Sequence, residues 1–348
     1  MPSWLPSIPY PPARVDGYWA PITSTIDWCE EVSKPARTTP TAQPSLTKAF
    51  TQNYYATPYS AEIVNTLTNA LFVYLACKGI YNCYTQGHDR IFLLTFIGYL
   101  IVGSGSFAFH TTLKYPMQLV DELSMIYTTC LMFWATFEHK RAAPIPLLLG
   151  VFVTALALFI TGYYHYLQDP TFHQNAYAVL TALVLTRSMY IMEVNIRPYF
   201  RRRRGGQGKV AENGGIGEKE QAEERRKDER DVVVIRQMWF MIGVGLSVFL
   251  GGFGIWTLDN KYCSTLRRWR HEIGLPWGIL LEGHGWWHLM TGLGAYFYIA
   301  WGIWLRHCLN DRQDEYELVW PCLFTSIPRV MRRTHAMNGA NGHSKRTM

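Results

Sequence analysis

Apolar residues in this chain fall into long blocks rather than alternating singly with polar ones. Seven blocks are long enough to cross a hydrocarbon core of roughly 30 Å as helices. They cover approximately 62–84, 91–113, 117–137, 145–164, 176–196, 237–258 and 284–305. The fourth is the plainest, since Ile145 to Tyr164 carries no charge. The links Gln86–Arg90, Lys114–Pro116 and Glu138–Pro144 are short, which makes the helices they join antiparallel neighbours. The pattern predicts an all-α integral membrane protein, a bundle of seven transmembrane helices.

Outside the blocks the chain is polar. Residues 1–61 read as an N-terminal arm, 62–305 as the seven-helix domain and 306–348 as a largely disordered tail. Within the domain, residues 197–236 carry RRRR at Arg201–Arg204, then GGQG and a run of alternating charges. We expect a flexible loop there, with a charged helix near its end. After about Leu309 no further span is expected, although Val319–Phe324 is apolar enough to rest on a membrane surface.

Composition explains why a whole-chain average hides this. Mean hydropathy is −0.04, the value of a soluble protein, because seven apolar blocks are averaged with a polar arm, loop and tail. Charged residues make up 17%, below the roughly 25% of soluble domains. Thirteen Trp and 21 Tyr suit two membrane–water interfaces. A net charge of +7 admits either nucleic acid or membrane, and its placement decides. Arg90, Lys140, Arg141, Arg197, Arg201–Arg204, Arg236, Arg306 and Arg312 fall on one side of the spans. Lys114, Lys261, Arg267, Arg268 and Arg270 fall on the other. The richer side is expected to be cytosolic, which puts the arm in the lumen or outside and the C-terminus in the cytosol. Arg201–Arg204 then reads as a topology and anionic-lipid signal, with no nucleic-acid partner. Met1–Pro21 is Pro-rich without an apolar core, so no cleavable signal peptide is expected.

Ionisable groups inside spans are costly and mark function. Ser106 and His110 lie four residues apart on one face of the second span. Asp121 and Glu122 sit just inside the third, and His284 and His288 share a face at the start of the seventh. His110, Asp121, His284 and His288 all fall at the luminal depth, so they can converge. Three neutral imidazoles leave a fourth position on tetrahedral zinc, the pattern of a catalytic site. Zinc lowers the pKa of water there to about 7. Asp121 is placed to hold that water and pass a proton to a leaving group. Ser106 is placed to donate to a developing oxyanion. His88, His139, His165, His173, His271, His307, His335 and His343 read as solvated loop or tail residues.

Three stretches carry a family resemblance: GYWAPITSTIDWCEE (Gly17–Glu31), SFAFHTTLKYPMQLVDELSMIY (Ser106–Tyr127) and GHGWWHLMTGLGAY (Gly283–Tyr296). Together they resemble the alkaline ceramidases, and the fungal phytoceramidase and dihydroceramidase type among them. The resemblance runs from Gly17 to about Leu305 apart from two insertions. It implies a seven-span zinc amidohydrolase of the endoplasmic reticulum or Golgi. Such an enzyme cleaves ceramide or phytoceramide to a sphingoid base and a fatty acid and has no obligate protein partner. It also implies zinc on His110, His284 and His288, with Asp121 and Ser106 catalytic. Beyond what spacing gives, it implies a calcium site on Asp27, the Trp28 carbonyl, Glu30, Asn53 and Glu62, oxygen ligands that suit this hard cation. It further implies a disulfide between Cys29 and Cys263, both on the oxidising side. Cys77, Cys83, Cys130, Cys308 and Cys322 are expected to be reduced.

The chain departs from the family pattern between Glu31 and Asn53. Deleting Val32–Gln52 restores WCEENY and keeps the nine-residue step from Asn53 to Glu62. We read Val32–Gln52 as a translated intron. Val-Ser-Lys permits a splice donor, Thr-Gln permits an acceptor, and 21 residues correspond to 63 nucleotides in frame. A genuine surface loop is the alternative, since loop closure costs grow only logarithmically with length. Transcript sequencing separates the two. Two other functional readings stand beside the hydrolase: a progestin/adiponectin-receptor-like protein with a structural zinc site, and a transporter using His and Asp as a proton relay. The DWCEE arm and the GHGWWH context favour the hydrolase.

Overall fold

The computed structural model describes residues 6–10, 17–26, 28–29, 54–138, 141–204, 218–322 and 325–333. Ten α-helices and one β-hairpin make up the described chain. The helices are α1 (Ile63–Thr68), α2 (Ala70–Gln86), α3 (Arg90–Thr112), α4 (Tyr115–Glu138), α5 (Ile145–Leu167), α6 (Pro170–Ile196), α7 (Pro198–Arg204), α8 (Glu218–Lys261), α9 (Cys263–Ile273) and α10 (Gly283–Leu309). The hairpin pairs β1 (Tyr316–Val319) with β2 (Arg329–Arg332).

Five stretches are long and apolar enough to cross a membrane: the α1–α2 run, α3, α5, α6 and α8. The third and seventh expected spans correspond to α4 and α10, of 24 and 27 residues. These two have the length but carry Gln118, Asp121 and Glu122, or His284, His288 and Arg306, which dilute their apolarity. Both bear candidate site residues, as does α3, which stays apolar enough despite Ser106 and His110. α5 shows the opposite character. Leu147, Leu148, Val151, Leu158 and Phe159 are all exposed on it, a patch that only another apolar phase would cover.

The main core lies among α2, α3, α8 and α10, where Leu75, Phe96, Met238 and Trp301 are buried. A smaller cluster under the arm joins Tyr54, Ala61, Phe109 and Leu113. The arm is tied at several points. The Thr23 and Ser24 amides donate to the Leu113 carbonyl at 3.2 and 3.1 Å, where α3 ends in a left-handed residue. The Thr25 amide donates to Gln118 Oε1 at 2.9 Å. The expected Cys29–Cys263 disulfide is present, with Cα atoms 5.5 Å apart, and joins the arm to the start of α9. The other five cysteines are free thiols.

Three expectations need correction. The loop expected over 197–236 is shorter, since α7 occupies 198–204, while the charged helix expected near its end is present as the start of α8 at Glu218. Charge pairing accounts for this, with Glu223 and Lys227 at i,i+4 on α8 and Arg201 Nη2 donating to Asp228 at 2.6 Å. The tail is ordered through Arg333, because the hairpin packs onto α2 and α10. Asn82 Nδ2 donates to the Val330 carbonyl at 3.1 Å and Tyr296 Oη to the Pro328 carbonyl at 3.0 Å. Finally, His88, His173 and His307 are buried, not solvated. His88 Nδ1 and His307 Nε2 lie 2.9 Å apart, while His173 Nε2 lies 2.8 Å from the Glu122 carbonyl. His139, His335, His343 and the interposed Val32–Gln52 lie outside the described residues.

Candidate metal centre

Local chain geometry delivers each histidine. His110 occupies the last turn of α3, and the chain before α1 docks against that turn. The Ala61 amide donates to the Thr111 carbonyl and the Glu62 amide to the His110 carbonyl, both at 3.0 Å. This docking puts the Glu62 carboxylate beside the His110 ring, with Nδ1 and Oε2 2.5 Å apart. His284 and His288 begin α10, whose first residue touches Asp259. A Cβ on Gly283 would lie 2.6 Å from Asp259 Cβ, so only glycine lets α10 start there. The Asp259 carboxylate accepts from the Gly283 amide and from Arg270 Nη2, both at 3.3 Å, an anion suited to a helix N-terminus.

The three rings converge. Their candidate ligand atoms lie within 4.8 Å of one another, and all three residues are buried. Outer nitrogens are tethered: His110 Nδ1 by Glu62, and His288 Nδ1 by Thr68 Oγ1 at 3.1 Å and Asn69 Nδ2 at 3.2 Å. That leaves Nε2 of His110 and of His288 as the nitrogen free to bind. His284 Nδ1 is buried with no hydrogen-bond partner among the described residues. Buried nitrogens are ordinarily satisfied, so an unpartnered one on a ring that meets two others suits a cation. Histidines that bind metals usually have their other nitrogen held by a carboxylate or similar group, as here. Trp28 stacks on His284, with centroids 4.6 Å apart and planes at 25°.

Asp121 and Ser106 come to the same place because α3 and α4 approach closely. A Cβ on Gly105 would stand 3.2 Å from the Asp121 amide nitrogen. The neighbouring Ser106 hydroxyl hydrogen-bonds the Asp121 carboxylate. Both residues, with His284 and His288, line one cavity of about 460 Å³. Phe72, Val102, Met125 and Leu246 belong to its wall and also to that of an apolar pocket of about 130 Å³. Polar chemistry at one end and continuous apolar wall at the other match a lipid with a functional group near its head.

Of the residues singled out in the sequence, His110, His284, His288, Ser106 and Asp121 are therefore brought together. Of the five residues expected at a calcium site, Asp27, Glu30 and Asn53 lie outside the described residues. Trp28 and Glu62 are described, and Glu62 Oε1 is buried with no hydrogen-bond partner among the described residues. Sequence reasoning missed Glu62 as the partner of His110, and Asn69 and Thr68 as partners of His288. The signal was there: Glu62, Asn65 and Asn69 are polar at i, i+3 and i+7 in an apolar run. It also missed the network around Glu122. Gln118 Nε2 donates to Glu122 Oε2 at 3.1 Å, and the Tyr164 hydroxyl donates to that same oxygen.

Comparison with known proteins points one way. A family model described as Ceramidase matches residues 20–331. Alkaline ceramidase YPC1 of Saccharomyces cerevisiae is 34% identical over 319 residues, covering 89% of this chain and 85% of that protein. Alkaline ceramidase 3 of Mus musculus is 30% identical over 293 residues, covering 83% and 86%. An alkaline ceramidase of Arabidopsis thaliana is 22% identical over 285 residues, covering 81% and 84%.

Proposed function

The chain belongs to the ceramidase family and is a ceramidase hydrolase, and from that premise we propose a zinc-dependent, membrane-embedded enzyme that cleaves the ceramide amide. The observation that carries the reading is the convergence of three buried imidazoles beside a cavity that also exposes Ser106 and Asp121. Zinc is the metal proposed, since three neutral imidazoles with one open position are its catalytic donor set. His110, His284 and His288 would hold it. When bound, it polarises the amide carbonyl and acidifies the attacking water.

The chain's own residues do the rest. The apolar wall takes the hydrocarbon chains and sets the amide at the polar end, excluding bulk water. Asp121 accepts the proton of the attacking water, then delivers it to the amide nitrogen as the C–N bond breaks, so that a sphingoid base and a fatty acid leave. The Ser106 proton is committed to Asp121 while the carboxylate is charged. Once Asp121 is protonated, the hydroxyl is released to turn toward the carbonyl oxygen, where negative charge has developed. Glu62 fixes the His110 ring.

The same proposal includes seven spans, with α4 and α10 as the two that site residues make less apolar. It places the arm in the lumen of the endoplasmic reticulum or Golgi and the C-terminus in the cytosol. No protein partner is required, and phytoceramide joins ceramide among the substrates. Calcium on the arm would brace it, with the buried and unpartnered Glu62 Oε1 as one of its oxygens. Family membership leaves the receptor and transporter readings without support. Membranes carrying the chain should release sphingoid base from ceramide, and His288→Ala membranes should not. Equal turnover by both would overturn the proposal.

A further inference from the structure

A second lipid site lies at the other end of the bundle. A groove of about 1020 Å³ runs between α2, the facing sides of α8 and α10, and the segment leading into β2. Its deep wall is apolar, with Leu71, Val244, Val248, Leu293 and Phe297. Its polar end carries Lys78 and Arg329, both exposed, and none of the described residues that line it is acidic.

The two cations are brought together by register. Asn82 bonds the Val330 carbonyl, and Gln86 Oε1 accepts from the Arg332 amide at 2.9 Å. Four helical residues advance about 6 Å and two strand residues about 6.6 Å, so α2 and β2 run in step. One further turn back along α2 is Lys78, which the same step sets opposite Pro328, one residue from Arg329, and both cations line the groove. Lys78 lies eight residues before the end of α2, about 12 Å along a helix long and apolar enough to span a membrane. A cation at that depth needs a counter-charge or must reach for the interface. Neither Lys78 nor Arg329 pairs with a carboxylate among the described residues. Several other basic residues at this end do, including Arg201 with Asp228, Arg306 with Glu138 and Arg312 with Glu315.

We propose that this groove binds an anionic glycerophospholipid, its headgroup between Lys78 and Arg329 and an acyl chain along the α8–α10 wall. Charge complementarity selects the occupant: two cations without a carboxylate partner among the described residues, Lys78 with its Nζ 5.2 Å from the Tyr74 ring centroid, stand at the mouth of an apolar slot and fit one molecule with a negative head and a hydrocarbon tail. Two headgroup contacts of this kind correspond to a preference of about tenfold or more over a zwitterionic lipid with the same chains.

The test uses the purified full-length chain with palmitoyl-oleoyl phosphatidylserine or phosphatidylcholine. By native mass spectrometry, the wild type should retain phosphatidylserine about tenfold more than phosphatidylcholine. K78Q/R329Q should bring the two to parity, and K78R should keep the preference. Independently of any variant, phosphatidylserine and not phosphatidylcholine should shield Lys78 of the wild type from an amine-reactive reagent, which separates this groove from the Arg201–Arg204 region. Equal retention of both lipids, a preference untouched by K78Q/R329Q, or a Lys78 labelled equally with either lipid would overturn the proposal.

Discussion

Two clusters of buried histidines sit at opposite ends of this bundle. At one end are His110, His284 and His288; at the other, His88 and His307. Composition and burial do not tell them apart. The difference lies in how the nitrogens are used. His88 bonds His307 directly, and its Nε2 lies 3.2 Å from both Asn82 Oδ1 and the Val330 carbonyl. The ring of His307 stacks on Tyr316 with centroids 3.8 Å apart. That pair fastens the C-terminal hairpin to the ends of α2 and α10. In the other cluster the outer nitrogens are anchored to Glu62, Thr68 and Asn69, and no hydrogen bond joins one histidine to another. The contrast is one of contact: His88 and His307 are bonded ring to ring, although His307 Nδ1 has no partner among the described residues, whereas the other three rings converge without bonding one another beside a carboxylate-bearing cavity, which is the arrangement proposed to hold a metal.

The comparison breaks most sharply under alanine substitution. His284→Ala should lower ceramide hydrolysis on the order of 10⁴-fold, since a metal ligand is lost. His307→Ala should leave turnover within about twofold yet lower stability by about 1–3 kcal/mol, the cost of an orphaned buried partner. Comparable losses of turnover in both would erase the distinction. Asp121→Asn comes next. It keeps the shape but not the basicity, and should cost about 10²- to 10⁴-fold in kcat with little change in KM.

A gentler probe addresses the tether. Glu62→Gln still accepts from His110 but lacks the charge that strengthens the imidazole as a donor, so metal affinity should fall about 10- to 100-fold. Titration with a competing chelator reads this directly. The smallest effect separates the clusters by pH. Burial lowers the His88 pKa from 6.5 to about 4. The unfolded chain therefore takes up the proton first, and stability falls as pH drops from about 7 toward 4. At pH 5 the loss amounts to about 2 kcal/mol at most. His88→Gln should flatten the melting temperature across that window, and an unchanged slope would count against the buried pair.

Much of this was legible in the sequence. The mostly helical fold and five apolar helices long enough to cross a membrane followed from block hydropathy, because burial in lipid demands continuous apolar runs. The convergence of His110, His284 and His288 followed from residues that such runs ordinarily exclude. What stayed hidden was pairing. Glu62 sits at the edge of an apolar block, where the resemblance implied a calcium ligand, and only the docking of residues 61–62 on the end of α3 shows it beside His110. His88 and His307 are separated by 219 residues, and each alone looks like a loop or helix-end residue. The order of the tail was hidden for a similar reason. Four-residue strands have little pattern, and the hairpin is held by Asn82, Gln86 and Tyr296, all far away in the chain.

Metal content of the purified chain tests the central claim most directly, measured by elemental analysis alongside ceramide hydrolysis on the same samples. The account predicts about one zinc per chain in the wild type and in His307→Ala, with loss of both zinc and activity in His110→Ala, His284→Ala and His288→Ala. Full hydrolysis by a wild-type chain that carries no metal, or zinc retained unchanged by all three substituted chains, would contradict it.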